Sequence, residues 1–360
     1  MRACNAEALS GRPVCACVGI PRAIPHAPYV FSVAAGPVGQ QLTHAIAQHA
    51  RHGAAVPRLH IHCLDRPICE VCTLATTQSS NSAQCEPRQL PPSWNQTSNY
   101  HASELSLEAV LTYKLHAAAQ ALVAAAAQVI ILDLDAFMLH ATCFDEWLAF
   151  PEDIVMQAGG SPGCPSGWPF SMIGVGLNTG AMLLRTASIP FLHALLAMRE
   201  AGFPYAHHCY EQELFTIGVL AAGAQWVGRQ SFPVRLTVGG GARRLAPIGP
   251  LQKGEDRRSY LARRVLNSSA AMRGPLSIRL LDYSRWSGST HPIRLAPPWA
   301  RSNASQWVTF YPIGTWRNPG SFRKTFVGLS VAEGCLFHTV AMPAAERVAA
   351  FKHLGLWLLK

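Results

Sequence analysis

The chain has 360 residues, of which 49% are hydrophobic and 14% are charged, and its formal net charge is +10 at pH 7. This apolar content supports a sizeable core and excludes a disordered chain, although the charged fraction lies well below the average of about 25%. A membrane-spanning helix needs about 20 consecutive apolar residues, and no run in the sequence approaches that length. We therefore expect membrane association only through an anchor that this sequence does not carry.

The first part of the chain predicts alternating strands and helices. A short apolar run at 29–34 predicts the first strand, helical spacing predicts a helix over 40–53, and an alternating segment over 56–64 predicts the second strand. This order of elements is typical of a parallel α/β unit. Residues 78–100 are polar and include two adjacent prolines, so we expect a loop there.

Two further apolar segments predict central strands of the same sheet. Ser103 is expected to cap a helix that runs to about Ala127. The continuous apolar run over 129–135 then predicts a strand that is buried on both faces and ends in two acids. A second such strand is expected over 173–184, interrupted by the sequence Asn178-Thr179-Gly180.

The sequence shows no internal repeat and no clean linker. We therefore expect one α/β domain over 29–360, preceded by an N-terminal tail over 1–28 that is rich in Ala, Cys and Pro. Positive charge is concentrated between Arg229 and Arg301, a segment that contains 14 Arg and Lys residues and only three acidic residues. This segment indicates either an anionic partner or a solvated basic surface. No RNA-binding or helix-turn-helix signature accompanies it, so nucleic acid is not an expected partner.

Eleven cysteines leave at least one unpaired unless it is bridged to another chain. Cys69 and Cys72 form a Cys-x-x-Cys, with Cys63 and Cys85 nearby. A zinc site would need two such pairs or added histidines at regular spacing. We therefore expect a disulfide or buried free thiols rather than zinc.

Asp133 and Asp135 give the strongest chemical signal in the sequence. These two carboxylates follow a predicted buried strand at its carboxyl end, where open α/β sheets bind their ligands. Beside apolar residues they should stay ionised at neutral pH only with a cation nearby. A divalent metal supplies that charge and can bridge to diphosphate oxygens. The alternative is a pair of acids that caps the following turn.

Seven short motifs follow one another at characteristic spacing. In chain order they are Tyr113-Lys114, Val129-Ile-Ile-Leu-Asp-Leu-Asp135, Asp153-Ile-Val-Met-Gln157, Gly176-Leu-Asn-Thr-Gly-Ala-Met-Leu-Leu-Arg-Thr186, Tyr210-Glu-Gln-Glu-Leu-Phe215, Leu336-Phe-His-Thr339 and Leu354-Gly-Leu-Trp357. In this order the chain resembles the nucleotide-diphospho-sugar transferases of the GT-A fold. The closest resemblance is to glycosyltransferase family 77 of plants and algae, which contains arabinosyl- and xylosyltransferases.

The resemblance implies a GT-A type, Rossmann-like α/β fold with a mixed, mainly parallel sheet flanked by helices. It also implies that Asp133 and Asp135 bind Mn²⁺ or Mg²⁺ on the diphosphate of a sugar nucleotide. His338 would be the late metal or phosphate ligand that closes the site. A neutral imidazole suits such ions, although a lone histidine in an apolar run is more often a satisfied core residue.

Four further residues receive donor-binding roles from the resemblance. Lys114 would offer a point charge to phosphate or to the acids themselves; the alternative is a lysine on a helix surface. Asn178, Thr179 and Gly180 would face the sugar, and Gly180 would allow the backbone to approach the ligand closely. The alternative for these three residues is a β-bulge inside a core strand.

Glu211 and Gln212 would lie beside the sugar and the acceptor and steady an oxocarbenium-like state. The alternative is a solvated first turn of a helix, where acids are favoured by the helix dipole. The implied reaction moves a pentose or hexose from a nucleotide-diphosphate sugar, UDP-linked, to a hydroxyl of a glycan or glycoprotein, with retention of configuration. The metal would stabilise the departing diphosphate.

The sequence departs from the family pattern in two places. Downstream of His338, where relatives carry Gly and Lys, this chain has Met342-Pro-Ala-Ala-Glu-Arg347. Residues 229–330, an unaligned basic stretch, match nothing in the family, and we expect acceptor choice to lie there. A catalytically degenerate carbohydrate-binding or basic scaffold protein is therefore an alternative.

A phosphatase of the haloacid-dehalogenase type is a third hypothesis, because those enzymes also use Asp-x-Asp after an apolar strand. The position two beyond the second acid is typically Thr or Val there, whereas here Ala136-Phe137 follows. The resemblance to the transferases also implies the Golgi lumen or secretory pathway. Three glycosylation sequons agree with that compartment; they begin at Asn95, Asn267 and Asn303.

Overall fold

A computed structural model gives the fold of the chain. The residues it describes are 27–77, 82–94, 106–124, 126–159, 176–203, 210–222, 225–227, 234–238, 275–281, 286, 293–295, 308–310, 315–317, 325–327, 334–338, 348, 351–352 and 355–359. Almost all of the tail expected over 1–28, most of the basic stretch over 229–330 and the three sequon asparagines lie outside these residues.

Helices and strands alternate along the described part of the chain. The helices are α1 (Gly39–Ala50), α2 (Arg66–Thr77), α3 (Leu107–Ala124), α4 (Thr142–Ala149), α5 (Ile189–Glu200) and α6 (Tyr210–Ala221). The strands are β1 (Tyr29–Ala34), β2 (Leu59–Cys63), β3 (Ala83–Pro87), β4 (Gln128–Leu132), β5 (Ala136–Met138), β6 (Ile154–Gly159), β7 (Gly176–Arg185), β8 (Gln225–Val227), β9 (Val234–Val238), β10 (Leu276–Leu280), β11 (Ile293–Leu295), β12 (Val308–Phe310), β13 (Thr315–Arg317), β14 (Thr325–Val327) and β15 (Leu336–His338).

Among the described residues, nine strands form one sheet in the order β3-β2-β1-β4-β7-β6-β10-β9-β8. Four neighbouring pairs are parallel, namely β2–β3, β1–β2, β1–β4 and β6–β10. Strand β7 is antiparallel to both of its neighbours, β4 and β6. Strand β9 is likewise antiparallel to β10 and β8. Seven strands therefore run in one direction and two against it. The predicted α/β class with a mixed, mainly parallel sheet is confirmed.

Helices cover both faces of this sheet. Because successive strand residues point to opposite faces, Ile131 packs in a core with α3, α5 and α6, and Ile130 packs in a second core with α1, α2 and α4. Ile130 and Ile131 are both fully buried. Continuous apolarity in β4 is thus explained by burial on both faces, as the sequence predicts.

Two sequence predictions need correction. The segment 78–100 was expected to be a loop, but β3 lies within it and adds an edge strand beside β2. Its sequence is polar because an edge strand buries little. The helix before β4 is shorter than expected, since α3 begins at Leu107 and ends at Ala124. Ser106 caps it by accepting a hydrogen bond from the Ala109 N–H, while Ser103 lies outside the described residues.

Three disulfides connect the described elements. Two of them use the Cys-x-x-Cys cysteines with separate partners, so α2 is tied to β2 by Cys63–Cys69 and to β3 by Cys72–Cys85. The third joins Cys143, in α4, to Cys335, which directly precedes β15. All six described cysteines are thus paired in disulfides, and for Cys63, Cys69, Cys72 and Cys85 this is one of the two arrangements that the sequence predicts.

The C-terminal part of the chain returns to the carboxyl edge of the sheet. There β15 pairs antiparallel with β5, which places His338 opposite Ala136. Beyond β15, Phe351 and Trp357 stack on the ring of His44 in α1. Within the described residues, none of the helices has the length and apolarity required to cross a bilayer.

Candidate functional site

Asp133 and Asp135 lie in the turn that follows β4. The Asp133 N–H donates to the Gly180 carbonyl at 2.7 Å, and the Asp133 carbonyl accepts from the Ala136 N–H at 2.9 Å. Both acids are only partly buried, with 27% and 15% of their side chains exposed. The turn thus presents two carboxylates to solvent at the edge where α/β sheets bind ligands.

His338 meets these acids because β15 pairs with β5 immediately after the turn. Its Nε2 atom lies 3.4 Å from Asp135 Oδ1, although the ring is almost completely buried. One ligand atom from each of Asp133, Asp135 and His338 lies within 4.8 Å of the others. The structure therefore brings together the three residues that the sequence analysis assigns to a metal.

Gly180 is needed for this approach. A Cβ atom built there would lie 2.2 Å from His338 Cε1, 2.7 Å from His338 Nε2 and 2.8 Å from Asp133 Oδ2. Such distances are far below van der Waals contact, so only glycine fits. The sequence predicts that Gly180 lets the backbone approach a ligand closely. In the structure, the groups that approach Gly180 closely are the side chains of His338 and Asp133.

Lys114 lies behind the acids and is not on a helix surface. It is 2% exposed, and its ammonium group donates to Asp133 Oδ1 at 2.7 Å and pairs with Glu211 Oε1 at 2.9 Å. Burial alone lowers the pKa of Lys114, but the charges and hydrogen bonds of Asp133 and Glu211 outweigh it and hold this pKa above its usual value. Lys114 is therefore a buried cation between two carboxylates.

Glu211 occupies the first turn of α6, but that turn is not solvated at this residue. Glu211 is 5% exposed, and its Oε1 atom also accepts a hydrogen bond from the Thr179 hydroxyl at 2.9 Å. Its Oε2 atom is buried and has no hydrogen-bond partner among the described residues. This oxygen can accept a hydrogen bond from a further group. Gln212, the next residue, is partly buried.

The sequence Asn178-Thr179-Gly180 forms an irregularity in β7. Met156 of β6 pairs with Met182, but the next residue, Gln157, pairs with Asn178, so the register shifts at this point. The Asn178 side chain accepts a hydrogen bond from the Gly180 N–H at 2.8 Å. The irregularity given as the alternative for these three residues is therefore present, and it also carries Gly180 to the two acids.

Sequence reasoning missed Gln157 as a site residue. Its side chain is 2% exposed and lies 2.7 Å from the Nδ1 atom of His338. A signal was present, because Gln157 is a polar residue in an otherwise apolar strand of sequence Ile-Val-Met-Gln-Ala. A buried polar side chain requires a partner, although the sequence does not identify His338 as that partner.

A pocket of about 880 Å³ opens at the carboxyl ends of β2 and β3, on the side of α3. Asp65, Arg88, Tyr113 and Gln120 are among its lining residues. The pocket lies at the same carboxyl edge of the sheet as the two acids, since β2 and β3 run parallel to β4. Apolar residues and charged or polar residues contribute equally to its lining.

The residues present fit a divalent cation. Carboxylate oxygens are the ligands that Mg²⁺ and Mn²⁺ prefer, and an imidazole nitrogen is a sound third ligand for a first-row transition metal. Asp133, Asp135 and His338 offer this donor set within 4.8 Å. One cation could therefore be held by all three side chains, with further positions left for a substrate.

No family model and no curated protein sequence matches this chain. Its fold is similar to mouse xyloside xylosyltransferase 1 in the apo form, with a TM-score of 0.37 and 16% identity over 53% of this chain and 81% of that one. It is similar to the glycosyltransferase GlyE of Streptococcus pneumoniae TIGR4, with a TM-score of 0.34 and 14% identity over 52% of this chain and 43% of that one.

A third similar structure is a glycosyltransferase involved in the glycosylation of the major capsid of PBCV-1. Its TM-score is 0.36 and its identity 9%, over 91% of this chain and all of that one. All three proteins are glycosyltransferases, and the matched part of this chain spans less than half of the pneumococcal protein. At TM-scores below 0.5 these similarities carry no weight in assigning a function, which has to come from the residues of the site.

Proposed function

We propose that the protein is a glycosyltransferase of the GT-A type that moves a sugar from a nucleotide-diphosphate donor to a hydroxyl group of an acceptor. The donor is a UDP-linked pentose or hexose, the acceptor is a glycan or glycoprotein, and the cofactor is Mn²⁺ or Mg²⁺. The observation that carries this proposal is the convergence of Asp133, Asp135 and His338 at the carboxyl edge of the sheet, backed by the buried Lys114–Glu211 pair.

The donor set separates this proposal from other uses of an acidic turn. Two acids that only cap a turn need no imidazole from a strand about 200 residues later in the chain. The additional donor and the close packing on Gly180 together fit a diphosphate held through a cation, and a pocket opens at the same edge of the sheet. When bound, the cation stabilises the negative charge that develops on the departing diphosphate.

The remaining residues orient the reactants. Lys114 fixes one oxygen of Asp133 and leaves the other for the cation, and it pairs with Glu211 behind the sugar position. Thr179 donates to the same Glu211 oxygen, so the buried Oε2 atom is the one directed to a ligand in this proposal. Glu211 and Gln212 then steady the positive charge that develops on the sugar, and the reaction proceeds with retention.

The disulfides support a secretory location such as the Golgi lumen. Disulfides form and persist in oxidising compartments and are rare in the cytosol. Three of them connect the described residues, and one holds Cys335 only three residues before His338. A disulfide this near to a proposed metal ligand suits a lumenal glycosyltransferase.

The test is the release of UDP from a panel of UDP-xylose, UDP-arabinose, UDP-galactose and UDP-glucose, with Mn²⁺ or with EDTA. We expect Mn²⁺-dependent UDP release from at least one donor, and loss of that release in Asp135→Ala. Asp145→Asn is the matched control, because Asp145 is an exposed acid in α4 and its loss should change nothing. A folded protein that hydrolyses or transfers no donor would favour the scaffold alternative.

A further inference from the structure

Gln157 lies between the candidate metal ligand His338 and a main-chain carbonyl. Its side-chain nitrogen donates to the Trp286 carbonyl at 2.7 Å, and its side-chain oxygen lies 2.7 Å from His338 Nδ1. Gln157 is 2% exposed, Trp286 is 3% exposed and His338 is 4% exposed, so water does not compete for these contacts. The Trp286 carbonyl, the Gln157 amide and the His338 ring are thus joined by two consecutive hydrogen bonds.

The direction of this chain is fixed by the Trp286 carbonyl. A carbonyl oxygen only accepts hydrogen bonds, so the end of the Gln157 amide that faces it must be the NH₂ group. The opposite end is then the amide oxygen, which also only accepts. The His338 Nδ1 atom must therefore carry the proton of this hydrogen bond.

The consequence reaches the other side of the imidazole ring. In a neutral imidazole one nitrogen carries the proton and the other has a free lone pair. With the proton on Nδ1, the lone pair is on Nε2, and this is the atom that lies 3.4 Å from Asp135 Oδ1. Because the ring packs directly against Gly180, it has little room to turn.

We propose that Gln157 is a positioning residue that fixes His338 in the Nδ1–H tautomer and so prepares Nε2 to bind the cation. This inference rests on the metal site of the proposed function and adds a residue that does not touch the metal. Outer-shell partners of this kind raise metal affinity, and their loss typically costs about 10- to 100-fold. Trp286 belongs to the unaligned basic stretch over 229–330, so this stretch contributes a main-chain carbonyl that orients Gln157.

The experiment combines two measurements on the full chain. Nitrogen-15 correlation spectra of the metal-free protein at pH 7.5 report the tautomer of each histidine, and the signal absent in His338→Gln assigns His338. Electron paramagnetic resonance of free Mn²⁺ then gives the affinity of the wild type, Gln157→Leu and Gln157→Glu. A glutamic acid can accept from Nδ1 and, when protonated, donate to Trp286, so it is the conservative variant.

We expect the Nδ1–H tautomer in the wild type, about 10- to 100-fold weaker Mn²⁺ binding in Gln157→Leu, and recovery of most of the affinity in Gln157→Glu. The Nε2–H tautomer in the wild type, or equal affinities of Gln157→Leu and wild type, would overturn the inference. If Gln157→Leu does not fold, the wild-type tautomer and Gln157→Met supply the same decision. Failure of the proposed function would look different, since wild type and Asp135→Asn would then bind Mn²⁺ equally weakly.

Discussion

The ammonium nitrogen of Lys114 lies 2.7 Å from a carboxylate oxygen of Asp133 although the lysine is almost completely buried. The same nitrogen lies 2.9 Å from Glu211. One buried cation thus links the turn after β4, the helix α3 and the first turn of α6. This arrangement makes Lys114 a connection between the proposed metal ligands and the acid proposed to lie behind the sugar.

Replacing Lys114 with Met should destabilise the protein and weaken metal binding. The variant leaves the buried Glu211 without its cation, and breaking a buried pair in this way costs about 3–5 kcal/mol. It also frees Asp133 to move. Urea unfolding should show the lower stability, and Mn²⁺ titration should show weaker binding.

Arg279→Met is the control for this prediction. Arg279 pairs with Glu152 at 3.0 Å, and both side chains are largely buried. Arg279 belongs to β10 and Glu152 precedes β6, so this ion pair does not involve Asp133 or Asp135. Its loss should lower the stability without changing Mn²⁺ affinity. Equal Mn²⁺ affinities for Lys114→Met and wild type would show that Lys114 supports the fold alone.

Gly180→Ala should weaken metal binding through a steric effect. The added methyl group would lie 2.2 Å from His338 Cε1 and 2.8 Å from Asp133 Oδ2, so one ligand has to move away. We expect at least a tenfold loss of Mn²⁺ affinity. Gly39→Ala is the matched control, because a Cβ there meets only Val71, at 3.4 Å. Unchanged Mn²⁺ affinity in Gly180→Ala would mean that His338 is not a ligand.

The disulfide between Cys143 and Cys335 should stabilise both the fold and the site. It joins residues 192 apart in sequence, and closing so long a loop stabilises a protein by roughly 5 kcal/mol in the chain-entropy account. The double variant Cys143→Ala, Cys335→Ala should therefore unfold at lower urea concentration. Its Mn²⁺ affinity should also fall, because β15 carries His338.

Cys63→Ala, Cys69→Ala provides the comparison for the disulfide prediction. That bond closes a separation of only 6 residues and is remote from β15 in the chain. Its loss should lower the stability less and leave Mn²⁺ binding unchanged. A double variant at 143 and 335 that binds Mn²⁺ as tightly as the wild type would show that strand pairing alone positions His338.

Acid should destabilise the protein through buried histidines, of which His49 is the clearest. Burial lowers the pKa of His49 from 6.5 to about 4, although its hydrogen bond to the Pro57 carbonyl opposes the shift. The unfolded chain binds the proton at about pH 6.5 and the folded chain only near pH 4. The free energy of unfolding is therefore not reduced by His49 above pH 6.5, and it falls as the pH drops from 6.5 towards 4.

His49→Gln removes this titration while keeping a donor for the Pro57 carbonyl. Urea unfolding between pH 4.5 and 7 should show a slope that is shallower than that of the wild type by about 1 kcal/mol per pH unit. Other buried histidines contribute to both slopes, so the difference between the two proteins is the quantity to read. Identical slopes would contradict a neutral, buried His49.

The sequence predicts the elements whose patterns are local. The apolar run of β4 and its two acids, the helix α1 and the strand β1 all follow from periodicity and residue type. The edge strand β3 was missed because it buries too little to leave an apolar pattern. The predicted and observed bounds of α3 differ by a few residues, because the cap that begins the helix is Ser106 and not Ser103.

The candidate site is less predictable because distant segments build it. Local sequence shows Gln157 as a polar residue in an apolar strand but does not identify His338, 181 residues later, as its partner. It gives no sign that Lys114 pairs with Glu211. The same holds for the pairing of Cys143 with Cys335. Such contacts are set by strand order and helix packing, which a single sequence specifies only through the whole fold.

The most direct test of the proposed metal-dependent glycosyltransferase activity is a calorimetric titration of UDP into the wild type and Asp135→Ala, each with and without Mn²⁺. Asp135 lies beside His338 in the candidate metal site, and its removal leaves two of the three ligands. We predict that the wild type binds UDP only with Mn²⁺ and that Asp135→Ala binds no UDP under either condition. Absence of UDP binding by the folded wild type, or equal binding by both proteins, would contradict the proposal.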